Sequence, residues 1–519
     1  MDEFIAWFKS QGGEVSPDVS LHKFPDEEGG RGLVAVKEIQ VGETLFAVPR
    51  TLLLSPRTCQ LPQLIGAQDW KRLNLHKGWS GLILCMLWEE AQGPASQWAG
   101  YFAAMPTEFS TLMFWTPEEL EDLKGSSITE KIGKEDVESE YHDRVLPAVK
   151  ARPDLFPPEQ ADRYTLERFH IAGSRILSRS FTVHDLADDE EDEAAIEGEE
   201  QEQENDKRRE EVSAAAVQPD GDVEMTEAVN DQKEGEGRGE NEEDEEEDSS
   251  DDEEDEYSTT LVPLADMLNA RTGCNNARLY HEKDCLRMCA IEVIPAGSQI
   301  WNTYGDCPNE DLLRRYGFVD LVPLPDGRLG NPADIAEVKA DLLVKIAIAD
   351  FGASEESSRE RIDWWLDNGG DDVFDLERNY NLPEVMTWFA RLLLMPRDEW
   401  VKTQRKGKPP RGKPDAGTLA LSLKVLRARL AEYPTTLEED EALFPTLSPA
   451  THWKKRNAVA VRLGEKRILT GTLRRCEEME RALAAGGAKA AKPQKRRASH
   501  GAADASPKGR GGAAKRQRK

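Results

Sequence analysis

Residues 261–318 read LVPLADMLNARTGCNNARLYHEKDCLRMCAIEVIPAGSQIWNTYGDCPNEDLLRRYGF, and the interpretation of the whole chain turns on this stretch. Leu261 to Leu264 form a short apolar run that stops at Asp266, with Asn269 just beyond it. Cys285 to Ile291 alternate with the period of two expected of a half-buried strand. Pro295-Ala296-Gly297 is turn chemistry, and Gln299-Ile300-Trp301 starts another strand that runs into Asn302-Thr303-Tyr304-Gly305. Glu310 to Tyr316 has helical spacing and ends at Gly317, a residue suited to the left-handed backbone of a helix terminus. Singly, these features are ordinary: Asp266 and Asn269 suit turns, and Tyr304 suits a strand. Their order within so short a span is what carries information.

Upstream, Phe4, Ile5, Trp7 and Phe8 put aromatic bulk on one side of a short opening helix that stops at Gly12-Gly13. Gly29-Gly30-Arg31-Gly32 then leads into an alternating strand reaching Ile39. Val41-Gly42-Glu43 turns the chain and Thr44 to Pro49 forms a second strand, so a hairpin is expected. A glycine turn before a strand is common, but a backbone without Cβ also allows a ligand to approach closely. From about Trp70 to Phe181 the pattern is helical. Trp79 to Glu90 reads as a core helix, Thr116-Pro117 as a capped helix start, and Arg168 to Phe181 as a helix ending Ser178-Arg179-Ser180-Phe181.

The series ADMLN, Cys-Asn-Asn corner, strand pair, PAG, NTYG and LLRRYGF closely resembles the carboxyl-terminal half of a SET domain. More narrowly, it resembles the branch that includes the Rubisco large-subunit methyltransferase, SET domain-containing protein six and fungal ribosomal lysine N-methyltransferase four, with PLADMLNA and LLRRYGF suiting the last. The glycine turn and its strands resemble the amino-terminal half. The resemblance implies an α+β fold: a SET domain of small β-sheets with a knotted cofactor and substrate site, carrying a helical insertion, followed by an all-α substrate-binding domain. It implies S-adenosyl-L-methionine as cofactor. On this basis Gly30, Arg31 and Gly32 would cover the amino-acid end of the cofactor, and Asn269 would orient it. Tyr304 would be catalytic, with its hydroxyl near the transferring methyl, and Tyr316 would line the lysine channel. Carbonyls around Asp266 would face the methyl group, placing Asp266 with both cofactor and substrate. Arg179 is a further candidate contact, and reads equally as a solvated helix-end arginine. Relatives often carry histidine after the motif asparagine; here Ala270 stands there, so a backbone contact is expected at that position.

The formal net charge of −32 is unevenly spread. Residues 188–256 hold 35 acidic and 5 basic side chains, and the segment after Ala484 holds 11 basic and 1 acidic. The insert lacks the apolar content to fold and is expected to be disordered. It falls inside the SET pattern, so it interrupts one domain rather than separating two; Ser249 and Ser250 within it are candidate phosphorylation sites. The expected organisation is 1–187 for the first half of the SET domain with its insertion, 188–256 for the acidic insert, 257–320 for the second half, 321–484 for a helical substrate-binding domain, and 485–519 for a basic disordered tail. Helices are expected over Asp334 to Phe351, Arg361 to Leu366, Glu384 to Leu394, Thr418 to Leu430 and Asn457 to Leu483. Clusters at Lys495-Arg496-Arg497 and Lys515 to Lys519 suit nuclear import, nonspecific RNA contact or simple solubility, and a protein of the nucleus, or of nucleus and cytoplasm, is the expectation.

Seven cysteines without regular spacing make neither a disulfide framework nor a zinc site, so no metal is expected. No run reaches membrane-spanning length, and neither a phosphate-binding glycine loop nor a Ser/His/Asp motif is found. The expected function is protein-lysine N-methylation of a basic non-histone partner, a large-subunit ribosomal protein first, by a monomer without specific nucleic-acid binding. Two alternatives remain at this level: a protein-histidine methyltransferase, and an inactive SET scaffold whose acidic insert binds basic proteins.

Overall fold

A computed structural model describes residues 2–25, 29–184 and 257–490. The expectations placed on the acidic insert, on Ser249 and Ser250, and on the basic tail from residue 491 onward lie outside the described residues; residues 485–490, expected to begin the disordered tail, instead continue the last helix. The chain divides into two compact units, Met1–Asp334 with Pro434–Glu465, and Ile335–Tyr433 with Lys466–Lys519. Residues 434–465 therefore group with the first unit rather than with the helical stretch around them.

In the first unit, α1 (Asp2–Ser10) precedes β1 (Glu14–Val15), β2 (Val19–Lys23), β3 (Arg31–Ala35) and β4 (Thr44–Pro49). A helical insertion follows, with α2 (Ser80–Ala91), α3 (Ala99–Ala104) and α4 (Leu166–Arg179), and leads directly into β5 (Ser180–His184). The second half holds β6 (Tyr257–Leu261), β7 (Asn269–Ala270), β8 (Ala277–His281), β9 (Cys285–Ala290), β10 (Gln299–Asn302) and α5 (Asn309–Tyr316), and then a small ribbon of β11 (Val322–Pro323) and β12 (Leu329–Gly330). One sheet has the order β1-β4-β9-β8 and the other β2-β3-β10-β7. Each sheet therefore mixes strands from both halves of the sequence, so neither half closes a sheet alone.

This topology corrects one expected pairing and bears out another. The strands β3 and β4 do not form a hairpin with each other but split between the two sheets, whereas the strand pair expected between the Cys-Asn-Asn corner and PAG is present as β8 and β9. The linkers that carry the chain across bond to one another. Ile39 and Ile294 form an antiparallel bridge, the Gly297 amide donates to the Ala35 carbonyl, and the Ala290 amide donates to the Glu43 carbonyl. Alternation and turn residues are the same in a hairpin and in such a crossing, so local sequence does not separate them.

Burial explains why the sheets hold. Leu45 to Val48 of β4 are all buried, and Leu82 to Leu87 of α2 are buried on every side of the helix, as expected for a helix apolar all round. The Thr116 side chain caps the Pro117–Leu120 helix in a reciprocal box with Glu119, as the sequence indicates. The helix α4 ends at Arg179, two residues earlier than expected, because Ser180 and Phe181 already belong to β5.

The second unit has a two-stranded sheet that the sequence reading did not include. It joins β13 (Ile335–Lys339) and β14 (Val373–Glu377), so the expected Asp334–Phe351 helix is a strand followed by α6 (Ala340–Phe351). The remaining elements are α7 (Glu355–Asp367), α8 (Glu384–Leu394), α9 (Arg397–Lys406) and α10 (Ala416–Leu430); α11 (Trp453–Ala490) contributes its residues from Lys466 onward. Buried Trp365, Phe374, Phe389 and Trp400 centre this core. The buried Arg361 donates to the carbonyls of Leu392, Leu393 and Met395, satisfying the free end of α8.

The strands β5 and β6, which flank positions 185–256, pair antiparallel from Ser180↔Leu261 to His184↔Tyr257. The two ends of the acidic segment thus lie side by side, as neighbouring strands only about 5 Å apart do. Replacing residues 186–255 by a short Asn-Gly turn is expected to leave one cooperative unfolding transition with a midpoint no lower than that of the parent. A lost transition or a broadened one, measured by calorimetry, would show that the segment is part of the folded domain.

Candidate active site

The second sheet brings the two motif segments together. The strands β7 and β10 run parallel, pairing Trp301 with Asn269 and Asn302 with Ala270. Asn276, from the Cys-Asn-Asn corner, stitches them further: its Oδ1 accepts from the Trp301 amide at 2.8 Å and its Nδ2 donates to the Gln299 carbonyl at 3.1 Å. The Tyr304 hydroxyl then donates to the Leu268 carbonyl at 3.0 Å. Just before ADMLN, the buried Leu264 has φ +76°, a costly backbone for a branched residue that only surrounding packing sustains.

Around this crossing lies an open cleft of about 1220 Å³. Its wall includes Gly30, Arg31, Arg179, Asp266, Asn269, Ala270, Tyr304 and Tyr316, so the structure gathers these expected residues at one place. Gly32 is an exception: it is buried behind the wall. A Cβ there would sit 2.7 Å from Gln299 Oε1 and 2.8 Å from Asn269 Nδ2. Gly29, which the sequence reading placed in the turn but gave no cofactor role, does line the cleft; its φ is +94° and a Cβ would come within 2.5 Å of the Asn269 side chain. Both glycines thus make room for Asn269, whose Nδ2 donates to Gln299 Oε1 at 2.7 Å and to the Arg31 carbonyl at 3.2 Å. Ala270 belongs to β7, opposite Asn302.

The Tyr304 ring stacks on Tyr316 with centroids 4.3 Å apart and planes 17° from parallel. Burial pushes both phenols above their ordinary pKa, so both remain protonated donors near neutrality. Beside them a buried charge network has formed. Arg179 Nη1 donates to the Asp266 carbonyl at 2.9 Å and to its Oδ2 at 3.1 Å, while the Tyr101 hydroxyl donates to Oδ2 at 2.9 Å. Burial raises the Asp266 pKa, and Arg179, the Tyr101 hydroxyl and Arg31 limit that rise. For Arg179 burial opposes the charge, yet Asp266 and Tyr101 prevail and its pKa is raised. Asp266 Oδ1 is buried with no hydrogen-bond partner among the described residues. The unpaired acceptor lies within the wall of the cleft.

Tyr101 and Gln299 have no expected role in the sequence reading. Tyr101 lies 165 positions from Asp266, on the short helix α3, where its only signal was aromatic character. Also unforeseen is the outer wall from Pro449, Ala450, Trp453, Arg456 and Asn457, supplied by the 434–465 segment of the same unit. The glycine cradle before Asn269 and the unpartnered carboxylate oxygen fit a ligand with an amino-acid end, as S-adenosylmethionine has.

Two interleaved sheets with the Asn269 and Tyr304 segments side by side define a SET domain, and the chain belongs to the SET-domain protein-lysine methyltransferases of the Rubisco large-subunit methyltransferase and SETD6 branch. Its relatives include ribosomal lysine N-methyltransferase 4 of Saccharomyces cerevisiae, 31% identical over 390 residues, spanning 74% of this chain and 65% of that one. N-lysine methyltransferase SETD6 of Homo sapiens is 28% identical over 523 residues, covering 90% of this chain and 93% of the relative. Residues 336–469 match the family described as Rubisco LSMT substrate-binding. The fold is that of Rubisco LSMT solved with AdoMet, at 20% identity and a TM-score of 0.61, covering 93% of this chain and 92% of that one. The SET domain of LSMT solved with lysine and AdoHcy gives the same score.

The Tyr101→Phe substitution removes one donor from a buried carboxylate. It is expected to cost about 2 kcal/mol of stability near neutrality, the usual value of a hydrogen bond to a charged group. The cost should shrink in acid as Asp266 takes up its proton and needs the donor less. Denaturant melts across pH 4–8 check this; a cost independent of pH would mean that the carboxylate is not the group Tyr101 serves.

Proposed function

We propose that this chain transfers the methyl group of S-adenosylmethionine to a lysine side chain of a basic protein, with a large-subunit ribosomal protein as the first candidate. The observation that carries this reading is that Asn269, on its glycine cradle, and Tyr304, bonded to the Leu268 carbonyl, line one cleft. S-adenosylmethionine supplies an electrophilic methyl carbon. The residues of the chain have to hold a lysine amine in line with it, uncharged and shielded from water. The stacked rings of Tyr304 and Tyr316 give an apolar wall that disfavours the ammonium form. The protonated Tyr304 hydroxyl and the Leu268 carbonyl fix polar groups at the end of that wall, where the amine and methyl would meet. Asn269 would anchor the donor molecule and Asp266 Oδ1 would accept from one of the two ligands. A side chain so placed is more than a scaffold needs.

The ribosomal assignment rests on the yeast relative's name and on a chain body that is mildly acidic outside its insert and tail, which suits a basic partner. Nuclear residence is part of the same proposal, supported by the basic clusters at Lys495-Arg496-Arg497 and Lys515 to Lys519.

Labelled methyl transfer from S-adenosylmethionine into ribosomal proteins of cells lacking this enzyme tests the reading. One large-subunit band labelled on lysine is expected, and Tyr304→Phe should slow the transfer by about 100-fold, within the range of a positioned polar group. Donor binding with no labelled band would remove the ribosomal substrate. Label on histidine would replace the reaction. Separately, Gly32→Ala is expected to displace the Asn269 amide and weaken donor affinity by about tenfold, the equivalent of one hydrogen bond; unchanged affinity by calorimetric titration would detach Asn269 from the donor.

A further inference from the structure

The second unit carries a basic surface that the methyl-transfer reading does not use. From Lys402 to Pro414 the sequence is KTQRKGKPPRGKP, with six cations, Lys402, Arg405, Lys406, Lys408, Arg411 and Lys413, and no acidic residue. All six are exposed. No ion pair joins any of them to a carboxylate among the described residues, whereas Arg397 in the same helix pairs with Glu360. Arg405 and Lys406 lie in the last turn of α9, where cations suit the helix dipole. That account does not extend to Lys408, Arg411 and Lys413, which follow the helix.

The loop is held rather than loose. Arg391 donates to the carbonyls of Pro410, Arg411 and Lys413, and its Nε lies 3.5 Å from Asp415 Oδ2. Asp415 in turn caps α10 through the amides of Gly417 and Thr418. The Arg411 guanidinium lies 5.2 Å from the centre of the half-buried Trp388 ring. One half-buried arginine thus spends its donors fixing a backbone whose charged side chains are all positive, on a chain whose net charge is −32. Such a surface repels a basic protein and presents a row of point charges and one planar guanidinium to a regular polyanion.

We propose that the 402–413 surface binds the phosphate backbone of RNA. A chain that methylates a ribosomal protein would meet that protein beside ribosomal RNA, and the surface would hold the RNA while the cleft takes the lysine. The RNA contact itself does not depend on which protein is methylated. Binding would be driven by counterion release and would carry little sequence preference.

The test uses the full-length chain and its Lys406→Gln/Lys408→Gln/Lys413→Gln variant, which leaves Arg391, Arg411 and Trp388 in place. Affinity for a fluorescein-labelled single-stranded RNA is followed by anisotropy between 50 and 200 mM salt. The basic tail is present in both proteins, so the difference belongs to the loop. Loss of three phosphate contacts is expected to reduce the slope of log K against log salt by about 2 and to weaken binding at least tenfold at low salt. Equal affinity and slope in the two proteins would overturn the proposal and leave RNA contact to the tail. So would a surface that prefers polyglutamate to RNA, which would make an acidic polypeptide its partner. Donor binding by both proteins, measured in parallel, confirms that the variant is folded; in a folded variant an unchanged RNA slope counts against the proposal.

Discussion

The parallel pairing of β7 with β10 is the constraint on which the rest of the site depends. Two segments about thirty residues apart in sequence must lie side by side in the same direction, which a hairpin cannot achieve because a hairpin pairs its strands antiparallel. The chain meets this by leaving the second sheet after β7, building β8 and β9 in the first sheet, and returning through the Ile294 linker to lay β10 beside β7. The crossing delivers Asn269 and Tyr304 to one cleft and leaves the Leu268 carbonyl within reach of the Tyr304 hydroxyl. The opposite linker, through Ile39, makes the same kind of crossing from β3 to β4, and the two support each other.

The buried Arg179–Asp266 pair shows a different kind of cost. Removing both charges from water is unfavourable, and a single attraction seldom repays it unless the remaining polar atoms are also bonded. Here Arg179 donates to both the carboxylate and the carbonyl of Asp266, and Tyr101 adds a third hydrogen bond. The arrangement links the helical insertion to ADMLN, since Tyr101 and Arg179 both lie on its helices. Tyr101 also stacks on Trp7 of α1, with centroids 6.2 Å apart. Geometry at Asp266 is thereby set by elements far away in sequence, and one carboxylate oxygen has no hydrogen-bond partner among the described residues.

What the sequence made legible was local. The turn glycines, the Thr116 cap, the Gly317 helix end and the motifs around Asn269 and Tyr304 each declare themselves within a few residues. The family resemblance then supplied the fold, and the cleft gathers most of the residues it implied. The adjacent pair β8 and β9 was legible, but the partners of β3 and β4 were not, because a strand that crosses between sheets has the same alternation as one that turns back. Nor were long-range partners: nothing near Tyr101 signals Asp266, and nothing near Trp453 signals that residues 434–465 group with the first unit. The short strand β13 was hidden in a region whose apolar residues also satisfy a helix. The 402–413 cations were visible in sequence, but only the bonds from Arg391 show that they sit on a fixed backbone.

The central claim is that the Asn269 and Tyr304 segments form one donor site. Ultraviolet crosslinking of tritiated S-adenosylmethionine to the full-length chain, followed by peptide mapping, tests it most directly. The account predicts label in peptides from the cleft wall, around Gly29–Arg31, Asn269 or Tyr304–Phe318, and competition by unlabelled donor. Saturable label confined to peptides outside that wall would contradict it.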